Sequence, residues 1–118
     1  MGPTQPFEIQ VYKTAAGRIP FHDWLNGIGD VSTIRRIRAR IVRVGEGDLG
    51  DHRHVGAGIW EMRLQFGPGY RVYFAFEQRR LILLLAGGHK GTQSRDIARA
   101  KDYYDDYRQS QSAVRELV

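Results

Sequence analysis

The sequence contains no cysteine. Disulfides and thiolate metal centres are therefore excluded, and an intracellular, cytoplasmic setting is expected. Nowhere does the chain approach the run of about 18 apolar residues that a membrane-spanning helix requires, so no membrane partner is expected. The opening, MGPTQPFEIQ, lacks the basic-then-apolar order of a secretory signal. Lysine is scarce: of 18 basic residues only Lys13, Lys90 and Lys101 are lysine, the rest being arginine. Acidic residues are absent between Asp30 and Glu46. The formal charge of +5, carried mostly by planar guanidinium groups that match phosphate oxygens, points to a polyanionic partner, nucleic acid first. A genome rich in G and C would favour arginine codons and give the same bias.

A length of 118 residues predicts one domain over residues 1–118, with 1–6 and 109–118 flexible. Phe7 to Tyr12 alternates and is rich in strand formers. Phe21, Trp24, Leu25 and Ile28 recur at helical spacing behind Pro20, and Gly27 or Gly29 ends that helix. A second helix follows, capped by Asp30 or Ser32 and ended by Gly45, with Ile34, Ile37, Ile41 and Val44 as its apolar stripe. Arg35, Arg36, Arg40 and Arg43 are expected mostly on its polar side. A short strand is expected near Arg53-His54-Val55, then two alternating strands over Trp60–Phe66 and Val72–Phe76. Leu81 to Ala86 is apolar without alternation, as in a strand covered on both faces. Thr92 is the expected cap of a last helix whose stripe is Ile97, Ala100, Tyr104 and Tyr107. The order predicts an α+β fold.

Two clusters stand out. In WEMRLQFGPGYRVYF, a three-residue loop Gly67-Pro68-Gly69 pairs Leu64 with Val72, Met62 with Phe74 and Trp60 with Phe76, all apolar. The other face then gathers Glu61, Arg63, Arg71 and Tyr73, with Arg63 opposite Tyr73. In LLLAGGHKGTQSRDI, a buried strand runs through Gly87-Gly88 to His89 and Lys90, the glycines allowing close approach of a ligand to the backbone. Taken alone, either cluster reads as solvated surface before it reads as a site.

Together, IWEMRLQFGPGYRVYF, LLLAGGHKGTQSRDIARAKDYY and PFHDWL resemble the RelE/ParE superfamily of bacterial toxins from type II toxin–antitoxin modules, within it the HigB-like addiction module killer proteins. The resemblance covers about residues 7–107. It implies a RelE-like fold: an N-terminal strand and helical hairpin packed on a curved, mainly antiparallel sheet, plus a C-terminal helix. It implies a ribosome-dependent mRNA endonuclease (an mRNA interferase) that arrests translation, and an inhibiting cognate antitoxin, often a small helix-turn-helix protein. Arg71 matches the family's phosphate-contacting arginine, Arg63 a basic position on the preceding strand, and Lys90 the basic position after the last-strand glycine. Glu61 departs from a lysine of the RelE branch, and Asp96 falls where that branch has a catalytic tyrosine.

Metal-independent RNA cleavage needs a base for the 2′-hydroxyl, cations for the pentavalent phosphate and an acid for the leaving oxygen. Arg63, Arg71 and Lys90 suit the second task. Glu61 or His89 is the candidate base, His89 or Lys90 the candidate acid. Tyr73 and His54 are candidate RNA contacts, as are Arg35, Arg36, Arg40 and Arg43 on the second helix, where a solvated face is the equal alternative. His52 and His54 lack the further ligands of a metal site, and no cofactor is expected. Two other readings share the sequence: a ParE-like inhibitor of DNA gyrase, and a non-catalytic RNA-binding domain.

Overall fold

The computed structural model describes residues 6–116. Strand β1 (Glu8–Tyr12) is followed by helices α1 (Pro20–Gly27) and α2 (Val31–Gly45). Next come β2 (His52–Gly56), β3 (Ile59–Arg63), β4 (Tyr70–Glu77) and β5 (Leu81–His89). A 3₁₀ turn (Lys90–Thr92) leads into α3 (Gln93–Ser110), and β6 (Ala113–Arg115) closes the chain. Pro20 stands in the first turn of α1, where its missing N–H costs nothing. Asp30 caps α2, accepting from the Thr33 N–H at 3.1 Å and the Thr33 hydroxyl at 2.6 Å.

The strands form one sheet in the order β2-β3-β4-β5-β1-β6. Its neighbours are antiparallel except β1 and β5, which run parallel. Helices cover both faces. Phe21 and Leu25 of α1 and Ile37, Ile41 and Val44 of α2 pack on Val11, Val72, Phe74 and Leu84. Ala100, Tyr104 and Tyr107 of α3 pack on Tyr73, Ala75, Leu83 and Leu85. This double cover is why β5 reads as unbroken apolar sequence.

Three expectations are corrected. The β3–β4 hairpin pairs Met62 with Val72 and Arg63 with Arg71, two residues away from the expected register. The Leu64 N–H still reaches the Tyr70 carbonyl at 3.0 Å, so the loop is the five residues 65–69, closed by Gly69 N–H to the Phe66 carbonyl at 3.2 Å. Phe66, outside the ladder, packs its ring against Tyr70 at 5.6 Å and beneath the Arg36 guanidinium at 3.8 Å. A shift of two keeps every side chain on its face. Second, Gly87, Gly88 and His89 belong to β5, opposite Val72, Arg71 and Tyr70. Third, Thr92 makes no side-chain cap to α3; its hydroxyl instead accepts the His89 N–H at 3.2 Å and donates to the Asp96 carboxylate.

The tail, expected to be flexible, turns at Gln111 (φ 56°) and adds β6 against β1. Of the segments expected to be flexible, residues 1–5 and 117–118 lie outside the described residues. Among the described residues, no helix is long and apolar enough to cross a membrane.

Candidate functional site

The polar side of the hairpin is not wet. Helix α3 lies over it, and Glu61 and Tyr73 are both 0% exposed. Glu61, on β3, gathers four partners from two neighbouring strands, β2 and β4, and from α3. Its Oε1 is 3.1 Å from Arg53 Nε and 3.8 Å from Arg71 Nε. Its Oε2 accepts from the Tyr73 hydroxyl at 3.1 Å and from Gln93 Nε2 at 2.6 Å. A buried carboxylate holding this many donors is an anchor, and it has no path to an RNA hydroxyl, which corrects its candidacy as base. Tyr73 is likewise removed from direct RNA contact. Burial first, then the Glu61 charge and hydrogen bond, push its phenol pKa well up, so it remains a proton donor to Glu61.

Arg71 emerges at the hairpin end. Its side chain is 12% exposed. Nη1 donates to the carbonyls of Gly69 and Tyr70 at 3.1 and 3.3 Å. The Gly69 carbonyl also accepts the Lys90 N–H at 2.9 Å. Gly69 has φ +79°, and a Cβ there would lie 3.3 Å from Lys90 Cβ and 3.5 Å from Arg71 Nη1. The Arg71 guanidinium and the root of the Lys90 side chain therefore both border Gly69.

Arg63 stands opposite Arg71. Its guanidinium is held by Asp51, with Nε and Nη2 at 3.1 and 2.7 Å from Oδ1. Gln65 binds the other oxygen of Asp51 at 2.6 Å. These bonds, Arg63 foremost, hold the Asp51 carboxyl below its ordinary range. Beneath them lies Arg40, only 9% exposed. Its Nη1 donates to the Arg63 carbonyl at 2.8 Å, and its Nη2 to the carbonyls of Leu49 and Asp51 at 2.9 and 3.0 Å. Arg40 thus braces the site from inside and is not a surface RNA contact, a correction to the expected polar face of α2. Position 40 falls between Ile37, Ile41 and Val44 on the apolar stripe, and that spacing is the signal that places it inward.

His89 ends β5 beside this cluster, paired with Tyr70. Its Nδ1 accepts the Gly91 N–H at 3.0 Å. In the neutral ring Nε2 therefore carries the hydrogen and is a donor. The glycine pair before it serves packing first. A Cβ on Gly87 would fall 2.1 Å from the Trp24 ring, and one on Gly88 1.8 Å from the Asp96 carboxylate, which is itself buried. The ladder register thus sets Arg63, Arg71, His89 and, just beyond, Lys90 at neighbouring positions of the hairpin end, with the Arg63 guanidinium turned to Asp51. His54 lies elsewhere, against Trp60 at 5.3 Å on the other face, and does not border the cluster. Arg35, Arg36 and Arg43 are exposed on α2. Sequence reasoning missed Asp51, Arg53 and Gln93, whose roles depend on elements distant in the chain. Among the described residues, no three His, Asp or Glu side chains are grouped to hold a metal ion.

The pattern of the phage-derived protein Gp49-like family (DUF891) matches residues 31–105, more than half of the chain. The chain belongs to that family. The matched span runs from α2 into α3 and contains all the residues of the hairpin end. An uncharacterized protein of Haemophilus influenzae is 41% identical over 83 residues, which cover 70% of this chain and 84% of that protein. The Gp49-like family is associated with the toxins of toxin–antitoxin modules.

Proposed function

We propose that the chain is the toxin of a type II toxin–antitoxin module, a HigB-like member of the RelE/ParE superfamily that cuts mRNA on the ribosome. The observation that carries this reading is that the Arg71 guanidinium and the root of the Lys90 side chain border the same glycine, Gly69, with Arg63 across the ladder. Three cations on one hairpin end form a seat for a phosphodiester. In the reaction, the 2′-oxygen attacks phosphorus as its proton passes to solvent water, and the P–O5′ bond breaks as the 5′-oxygen takes a proton from His89 Nε2 or the Lys90 ammonium. The products are a 2′,3′-cyclic phosphate and a 5′-hydroxyl. Negative charge gathers on the two non-bridging oxygens, where Arg71 Nη2 and the Lys90 ammonium donate. His89 Nε2 offers a third donor. Glu61 acts through Arg71, fixing the guanidinium without touching RNA.

The exposed arginines Arg35, Arg36 and Arg43 would dock on ribosomal RNA phosphates, and the setting would be the cytoplasm. The inhibiting partner would be a cognate antitoxin, a small helix-turn-helix protein. The test is induced expression with transcript-end sequencing, run beside a gyrase supercoiling assay. New transcript ends with normal supercoiling support the reading. Inhibited gyrase with intact transcripts replaces it with a ParE-like activity, and growth without either effect leaves an RNA-binding domain.

A further inference from the structure

On the far side of β5 from β4 the sheet is incomplete. The β1–β5 ladder ends at Val11 opposite Leu84, while β5 continues to His89. In the antiparallel β4–β5 ladder, residues alternate between facing the partner and facing away. The Lys90 N–H reaches the Gly69 carbonyl, so Gly88 faces β4, while His89 and Gly87 face the bare edge. The His89 N–H is taken by Thr92. Gly87 is left with an N–H and a C=O for which the ladder has no partner.

That edge opens into a cleft of about 630 Å³, within the range of roughly 300–1,000 Å³ usual for small-molecule sites. Trp24 enters from α1, its ring packed directly over Gly87. Tyr103 enters from α3, stacked on Tyr12 at 5.3 Å. The cations at the rim differ in availability. Arg18 is paired with Asp23 at 3.2 Å and Arg95 with Asp96 at 3.3 Å. Arg99 lines the cleft, is exposed, and makes no hydrogen bond or ion pair among the described residues.

One free donor and one free acceptor side by side, flat rings on two walls and one unpaired guanidinium describe a ligand: a planar heterocycle with donor and acceptor edges, joined to an anion. A peptide strand fits less well, because adding a strand uses several alternate residues of an edge and only Gly87 is free here. We infer that this cleft is a nucleotide subsite, seating the base of one RNA residue at the Gly87 edge between Trp24 and Tyr103 while Arg99 meets its phosphate. The inference deepens the RNA-cutting reading and rests on it. His89 lines the cleft and directly precedes Lys90, so a residue seated there neighbours the one whose phosphate meets Arg71. Trp24 and Arg18 precede the span matched by the Gp49-like family, so this part of the cleft is built by the N-terminal segment.

The experiment is an amide and indole NMR titration of the full chain carrying Arg71→Ala, which removes the cutting group and permits expression. The probes are adenosine and uridine 5′-monophosphate, with inorganic phosphate alone as a third arm. The nucleotides should move the Gly87 amide and the Trp24 indole N–H. Adding Arg99→Ala, a change at an exposed and unpaired site, should weaken binding about tenfold, the usual scale of one charge-assisted contact. Absence of shifts at Gly87 and Trp24 would overturn the inference, as would inorganic phosphate reproducing the whole pattern. The two readings fail separately. Transcript cutting without nucleotide binding removes only the cleft assignment, and nucleotide binding without transcript cutting by the wild type removes only the nuclease.

Discussion

Arg63 and Arg71 face each other directly across the β3–β4 ladder, each held by a different acid: Asp51 at 2.7 Å and Glu61 at 3.8 Å. Like charges opposed in a ladder are destabilising. The hairpin end keeps its two guanidinium groups together because one counter-charge lies in a half-exposed loop and the other is sealed beneath α3. The two acids should therefore differ sharply in what their removal costs.

Glu61→Ala leaves Tyr73 without its acceptor and Arg71 without its counter-charge beneath α3. Removing one member of a buried charged set typically costs about 3–5 kcal/mol. Because Arg53 is half-exposed, the lower end of that range is expected, with Glu61→Gln milder. Urea unfolding measures it: the midpoint should fall while the slope stays constant. An unchanged midpoint would mean that Glu61 does not anchor the site.

Asp51 should report through pH. Its folded-state pKa lies below its ordinary value of 3.8. A depressed carboxyl contributes stability that is complete above the unfolded pKa and is lost as pH falls through the folded one. The stability difference between wild type and Asp51→Asn should thus be full at neutral pH and close in acid below that ordinary value. Since Arg63 and Asp51 are both partly exposed, solvent screening keeps the difference at about 1 kcal/mol or less. Unfolding midpoints across pH measure it, and a gap that widens in acid would contradict the assignment.

Most elements were legible in the sequence because each carries a local period: Phe21, Trp24, Leu25 and Ile28 for α1, Ile37, Ile41 and Val44 for α2, and the bare apolar run of β5. The cover of the hairpin was not legible. Glu61 and Tyr73 read as a polar strand face because nothing nearby in the chain says that α3 returns over them. The register was missed by two because Gly67-Pro68-Gly69 looks like a complete loop. Gln65 and Phe66 join that loop through partners far away, Asp51 and Arg36. The register places Arg63, Arg71 and Lys90 at the hairpin end. Which of them touches RNA is the proposal.

Gly88→Ala tests the packing that brings β5 beneath α3. The new methyl would meet the Asp96 carboxylate at 1.8 Å. Overpacking of this kind costs about 1–3 kcal/mol. Adding Asp96→Ala should return part of the loss, as neighbouring sites couple. Thermal unfolding of the single and double variants decides it; strictly additive losses would place the strain elsewhere.

Arg40 and Arg35 should separate bracing from docking. Arg40→Met strips three backbone carbonyls of their donor and should lower stability by more than about 1 kcal/mol. Arg35→Ala, at an exposed site, should change stability by less than about 0.5 kcal/mol. It should reduce the logarithmic salt dependence of ribosome binding by about one unit. Equal effects of the two on stability would contradict the distinction.

The measurement closest to the central claim is cleavage of a ribosome-bound message by purified wild type and Arg71→Ala, each first verified as folded by circular dichroism. If the hairpin end carries the charge of the transition state, the wild type yields 2′,3′-cyclic phosphate ends and Arg71→Ala loses on the order of 100-fold or more in rate. A folded Arg71→Ala protein that cuts at the wild-type rate would contradict the account.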